Sequence, residues 1–246
     1  HNKYIQKIIQ INNITDGIKD IFISNSSKIK YISMYKGILP ICDFSYQNYP
    51  IIVTEYKQKG ALEDFIMQRA NSQQEPEIYK DTTTFIILLG IANTLNYLQT
   101  HELFFDSFDS SKIYLDDNLY PQIDITEFSI QNHEAQDYSI RSKDEIFSFG
   151  QIAYELITCQ KSFSEDEEAL PDLSKIDIKW LRVLIEKCWS KSKQSRPNFQ
   201  QIIEEFYTQN INYEWILEEE MNKYESVHRS SLSKYIENLD QLSIEN

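Results

Sequence analysis

Ile51 to Asp64 reads IIVTEYKQKGALED, and this stretch decides the fold. Its first half belongs to Pro50 to Tyr56 (PIIVTEY), an apolar run with the length and β-branched content of a buried strand. Polar residues and Gly60 then break the run, and from Leu62 onward the pattern turns helical. Upstream, Tyr4 to Ile11 is rich in isoleucine and reads as a second strand. Between the two, Ser24 to Tyr35 predicts a weak helix with Asn25 or Ser26 as its cap. Downstream, Thr82 to Leu98 carries Phe85, Leu88, Leu89, Ala92, Leu95 and Leu98 at the spacing of a buried helical face. Ile113 to Thr126 reads as two short strands around an Asp-Asn-Leu-Tyr-Pro turn. Glu145 to Ile157 is apolar around most of its circumference, as a central helix should be. Trp180 to Trp189 and Phe199 to Phe206 are amphipathic, with Pro197 at a helix start. From Asn212 the pattern predicts one appended helix. The class is α+β, with a small strand-rich part preceding a larger helical one.

The chain has 246 residues, 38 acidic against 24 basic, and a net charge of −14. An acidic chain without a basic stretch repels nucleic-acid phosphates, which excludes that class of partner. No apolar run approaches the roughly 20 residues needed to cross a bilayer, and no secretory pattern opens the sequence. Its first residue, His1, suggests a fragment. Cys42, Cys159 and Cys188 are scattered and odd in number, so we expect free thiols in a reducing, cytoplasmic setting. The four histidines lack ligand spacing, and no zinc site is expected. The five glycines lie too far apart for a phosphate-cradling loop. Glu165 to Glu168 (EDEE) reads as a solvated segment.

Four stretches together resemble the protein kinases. IIVTEYKQKGALED is similar to the hinge segment of that family. Asp144 to Leu156 (DEIFSFGQIAYEL) resembles its Asp-Val-Tyr-Ser-Phe-Gly helix, and Leu184 to Phe199 (LIEKCWSKSKQSRPNF) its Cys-Trp, Arg-Pro segment. Leu95 to Asp116 follows the family's helix, catalytic loop and strand without a gap. The resemblance covers about residues 3 to 207. It implies a two-lobed fold: a truncated, strand-rich N-lobe over 1–56 (third strand to hinge), a mainly helical C-lobe over 57–207, and a helical tail over 208–246. Tyr4-Ile-Gln-Lys then resembles the third strand, which makes Lys7 the lysine that pairs the nucleotide phosphates.

The same resemblance implies that the catalytic positions have changed. The family reads H-R-D-L-K-P-x-N where this chain reads Phe105-Asp106-Ser107-Phe108-Asp109-Ser110-Ser111-Lys112. Ser107 replaces the Asp that orients the hydroxyl, and Asp109 replaces the loop lysine. Lys112 replaces the magnesium-binding Asn, and a charged ammonium cannot coordinate a metal. Phe105, in place of a histidine, adds apolar core. The D-F-G motif has two registers, Ile125-Thr126-Glu127 or Glu127-Phe128-Ser129. The second is favoured because Phe128 fills the phenylalanine slot, leaving Glu127 as a weak metal candidate that Lys112 would pair with instead. At the helix glutamate that should hold Lys7, counting lands on Ser26, and Asn25, Ser27 and Lys28 offer no acid either. Lys7 then loses its usual partner and has as its plain alternative a solvated strand end. Thr54, Glu55 and Tyr56 line the hinge side of the nucleotide cleft, with Ile5 and Tyr114 as larger side chains occluding it. Glu134 would pair with Arg196 as a fold contact, after an activation segment too short for a peptide platform.

The expected function is a catalytically inactive kinase-like domain, a pseudokinase that acts as a scaffold or allosteric signalling partner for other proteins. The alternatives are a weakly active ATP-dependent protein kinase, or a structural remnant that self-associates through the tail after Phe206. No cofactor is expected. ATP and magnesium enter only with the weakly active alternative.

Overall fold

The computed structural model describes residues 3–9, 16–71, 82–130, 138–162, 171–210 and 216–228. Three strands, β1 (Tyr4–Ile8), β2 (Ile41–Tyr46) and β3 (Pro50–Glu55), form an antiparallel sheet in the order β1-β3-β2. β3 lies in the middle because it is the most apolar; Ile51, Ile52 and Thr54 on it are buried. Its register sets Ile5 opposite Thr54 and Lys7 opposite Ile52. Ile5 and Lys7, two apart, therefore share one face of β1. The isoleucine-rich run gives a strand only as far as Ile8, and residues 10 and 11 lie outside those described.

Helix α1 (Asp16–Ile32) covers the sheet. It begins eight residues before the expected Ser24, so Asn25 and Ser26 are interior positions and not caps. The reason is tertiary. Phe22, Ile29 and Ile32 recur on one face and are buried, and the Phe22 ring packs 5.7 Å from Phe44 and 6.1 Å from Tyr46. That burial outweighs the capping preference of Asn and Ser. Ser26 turns its hydroxyl back onto its own helix, donating to the Phe22 carbonyl at 2.6 Å.

The helical lobe contains α2 (Leu62–Ala70), α3 (Thr82–Thr100), α4 (Tyr138–Thr158), α5 (Lys179–Cys188), α6 (Phe199–Asn210) and α7 (218–228), with a hairpin of β4 (Ile113–Leu115) and β5 (Pro121–Ile123). α3 is buried on nearly every side and packs on α6, α4 and β5. The expected helix at Glu145 starts seven residues earlier, at Tyr138. Its first turns are polar and leave no hydrophobic period to read. Gly60, at φ 77°, makes the left-handed turn that starts α2.

The two lobes meet through the segment after α1. The Leu39 N–H donates to the Ile123 carbonyl at 2.9 Å, and the Ile123 N–H to the Gly37 carbonyl at 2.8 Å. A side chain at Gly37 would collide with Thr94 of α3, so glycine permits this close approach. α7 folds back onto the helical lobe: Ile216, Met221 and Tyr224 are buried, the Tyr224 ring lies 5.2 Å from Tyr120, and the Leu217 N–H reaches Thr82 Oγ1 at 2.9 Å. Among the described residues no helix is long and apolar enough to cross a membrane. Glu134 and Glu165 to Glu168 fall outside the described residues.

Candidate active site cleft

The segment between α3 and β4 is fixed from below. The Phe105 N–H donates to Glu145 Oε1 at 2.7 Å, and Gln99 Nε2 donates to Glu145 Oε2 at 2.7 Å. Glu145 is only 2% exposed, and burial pushes its carboxyl up to about 7 against the opposing effect of those two bonds. The Phe105 ring packs on Phe128 at 4.7 Å and on Phe108 at 4.9 Å, so this loop has an apolar underside. Asp106 pairs with Arg141, and Asp109 accepts from the Ser111 N–H at 2.9 Å to start the 110–112 turn. Ser107 is exposed and carries no carboxylate toward the cleft.

Two ion pairs lie at the cleft, one within the helical lobe and one reaching it from β1. Lys112 pairs with Glu127, donates to the Ser107 carbonyl at 2.5 Å, and lies 5.1 Å over the Phe105 ring. Burial raises the Glu127 carboxyl above its ordinary range, with Lys112 pulling the other way and Asp106 and Asp124 adding repulsion. Lys7 pairs with Asp124, their side chains being 21% and 16% exposed, and its ammonium lies 5.0 Å over the Tyr114 ring. Lys7 is thus not a solvated strand end. Among the described residues its acid comes from the segment after β5 and not from α1. Asp124 is oriented by accepting from the Thr126 N–H at 2.9 Å.

Around these pairs the other expected residues take distinct places. Ile5 is half-buried on the same face as Lys7, and Tyr114 is half-buried beneath it. Thr54 is fully buried, with no hydrogen-bond partner for its hydroxyl among the described residues. Glu55 pairs with Lys57 at 2.5 Å, and Tyr56 is 42% exposed, its N–H donating to the Lys3 carbonyl at 2.9 Å. Phe128 is buried under the 126–129 turn. From α1, Asn25 Nδ2 donates to the carbonyls of Phe128 at 3.3 Å and Ser129 at 3.4 Å. Among the described residues no group of three or more His, Cys, Asp or Glu side chains is gathered to hold a metal.

A cleft under a short antiparallel sheet, with a lysine reaching from it to an acid beyond a hairpin, agrees with the family comparison: the family of protein tyrosine and serine/threonine kinases matches residues 5–166, more than half the chain. The chain belongs to this kinase family. Among curated kinases, Serine/threonine-protein kinase STY17 of Arabidopsis thaliana is 21% identical over 62% of this chain and 31% of its own length. Dual specificity protein kinase shkE of Dictyostelium discoideum is 32% identical over 26% of this chain and 11% of its own. The chain spans about a third or less of the length of these relatives.

Within this kinase-like cleft, three side chains escaped sequence reasoning. Asp124 lies just before both D-F-G registers, although an acid right after a short strand is visible in QIDIT. Glu145 was hidden by its neighbour Asp144, which shares its charge but is 43% exposed. The helical period shows the difference, because Glu145 lies on the apolar side with Phe149 and Ile152. Asn25 was noticed only as a cap. Arg196, expected to serve the fold, is 5% exposed and donates to the carbonyls of Ser190 at 3.0 Å and Lys143 at 2.9 Å, with Asp144 at 3.5 Å.

Proposed function

We propose that this chain is a kinase-like module without phosphoryl-transfer activity, working as a protein-binding scaffold or allosteric partner. The observation that carries the reading is Lys112. Phosphoryl transfer needs a cation at the phosphates and a carboxylate to orient the attacking hydroxyl. At the expected metal position this chain has its own ammonium, already joined to Glu127 and to the Ser107 carbonyl. At the expected orienting position it has a serine hydroxyl, which accepts no proton near neutral pH. That donor set suits an internal ion pair better than a divalent cation. Tyr114 and the paired Lys7 further fill the space between sheet and hairpin.

Calorimetric titration with ATP, with and without magnesium, tests this reading. The expected result is no magnesium-dependent binding in the native chain. Tight binding that requires magnesium and disappears in Glu127→Ala would overturn it.

A second reading, a weakly active kinase, is favoured by one observation: Lys7 is present, ordered by Asp124 and turned to the cleft. The names of both relatives describe kinases, which adds to that reading. Positioning alone supplies part of a rate enhancement, so slow transfer is the form such activity would take. Association through the tail has less support, because Ile216, Met221 and Tyr224 are already buried against the chain's own helical lobe.

A further inference from the structure

Among the described residues Lys7 pairs with Asp124 and with no acid of α1, and Ser26, at the expected place, bonds back to its own helix. The helix is therefore not tied to the sheet lysine. It is tied across the lobe boundary, to backbone of the 126–129 turn, through Asn25. Both acceptors are carbonyl oxygens, so only the amide NH₂ suits them, and the orientation of Asn25 is unambiguous. Asn in a helix interior carries a propensity cost unless its side chain gains a bond. Lys7 makes the parallel connection from β1 to Asp124, also across the boundary.

We propose that Asn25 is a positioning residue which, together with Lys7, fastens the strand-rich lobe to the helical lobe in one orientation. The Asn25 connection is neutral on the donor side and made to backbone, so neither salt nor pH between 5 and 8 loosens it. Phe128 supports it from below: its ring is buried against Phe105, which holds the accepting turn in place. A module fastened this way presents the outer faces of α1 and the sheet in a constant pose. The inference stands whether or not the chain transfers phosphate.

Hydrogen–deuterium exchange on the whole chain, without nucleotide, tests it. Asn25→Asp keeps the shape but replaces the donor with a charge facing two carbonyls. The expected result is exchange about fivefold faster at amides of α1 and of 126–130, with α3 and α4 unchanged. Asn25→Gln, which restores a donor, should recover part of the protection. Lys7→Met in the Asn25→Asp background should speed exchange at the same amides further. Unchanged exchange in α1 of Asn25→Asp, or an equal rise throughout α3 and α4, would overturn the proposal. If Asn25→Asp does not fold, Asn25→Ala gives the same reading.

Discussion

The interior of the helical lobe and the cleft above it both hold charged side chains, but they use them differently. Arg196 and Glu145, 5% and 2% exposed, bind mostly neutral partners: the carbonyls of Ser190 and Lys143 in one case, the Phe105 N–H and the Gln99 amide in the other. Each fixes a backbone path. Lys112 and Lys7, with side chains 24% and 21% exposed, bind single carboxylates and so cancel their own fields. The first arrangement builds a framework, and the second pairs the charges of a cleft with one another. A protein can anchor its backbone with buried polar groups while the half-exposed charges of its cleft pair with one another. The energetic reason is that breaking a buried, multiply bonded charge costs several kcal/mol, whereas re-pairing a half-exposed one costs little.

Arg196→Ala should give the largest effect, because it strands the carbonyls of Ser190 and Lys143 in a buried setting. We expect about 3–5 kcal/mol of lost stability in urea denaturation. A loss below about 1 kcal/mol would dissolve the contrast between interior and cleft.

Glu145 gives the next effect, and it is pH-dependent. In the native chain its carboxyl keeps its proton up to about 7, against 4.5 for an ordinary glutamate. Between those values the native state binds more protons than the unfolded one. The contribution of Glu145 to stability is therefore full below pH 4.5 and is lost as pH rises through 7, by at most about 3 kcal/mol. Glu145→Gln should lack this slope, so that the difference between its pH–stability profile and that of the native chain changes between pH 4.5 and 7. Parallel profiles would contradict the assignment.

Lys112→Ala leaves Glu127 half-buried without its ammonium, so it should cost about 1 kcal/mol, reduced by solvent and salt. It should also push the Glu127 carboxyl further up, readable as a titration by carboxyl NMR. The smallest effect belongs to Thr54→Val. Removing a buried hydroxyl that has no partner should leave the melting temperature unchanged or raise it slightly, by the equivalent of up to about 1 kcal/mol. A clear fall would mean that the hydroxyl has a role in the cleft.

Where hydrophobic period was strong, the sequence was a good guide. α3, the β4–β5 hairpin and the strand at Pro50 come from runs whose spacing admits one reading, and the quoted kinase-like stretches set their order. Legibility failed where polar residues extend an element. The first turns of α1 and α4 carry no apolar period, and their helicity follows from packing further along. In the cleft, the Lys112–Glu127 pair was legible and the Lys7–Asp124 pair was not. Ser107 and Lys112 could be placed by counting from an ungapped loop. Asp124 could not, because a shift of one or two residues after a three-residue strand changes which acid faces Lys7. The partner of Asn25 lies 103 residues away in sequence, beyond any local rule.

The central claim is that the ammoniums of this cleft are committed to its own carboxylates and not to phosphate. It is tested most directly by incubating the purified chain with γ-labelled ATP, magnesium and a mixed Ser/Thr/Tyr peptide pool, alongside Lys7→Met. We expect label incorporation no higher than in Lys7→Met. Incorporation that rises with time in the native chain and vanishes in Lys7→Met would contradict the account.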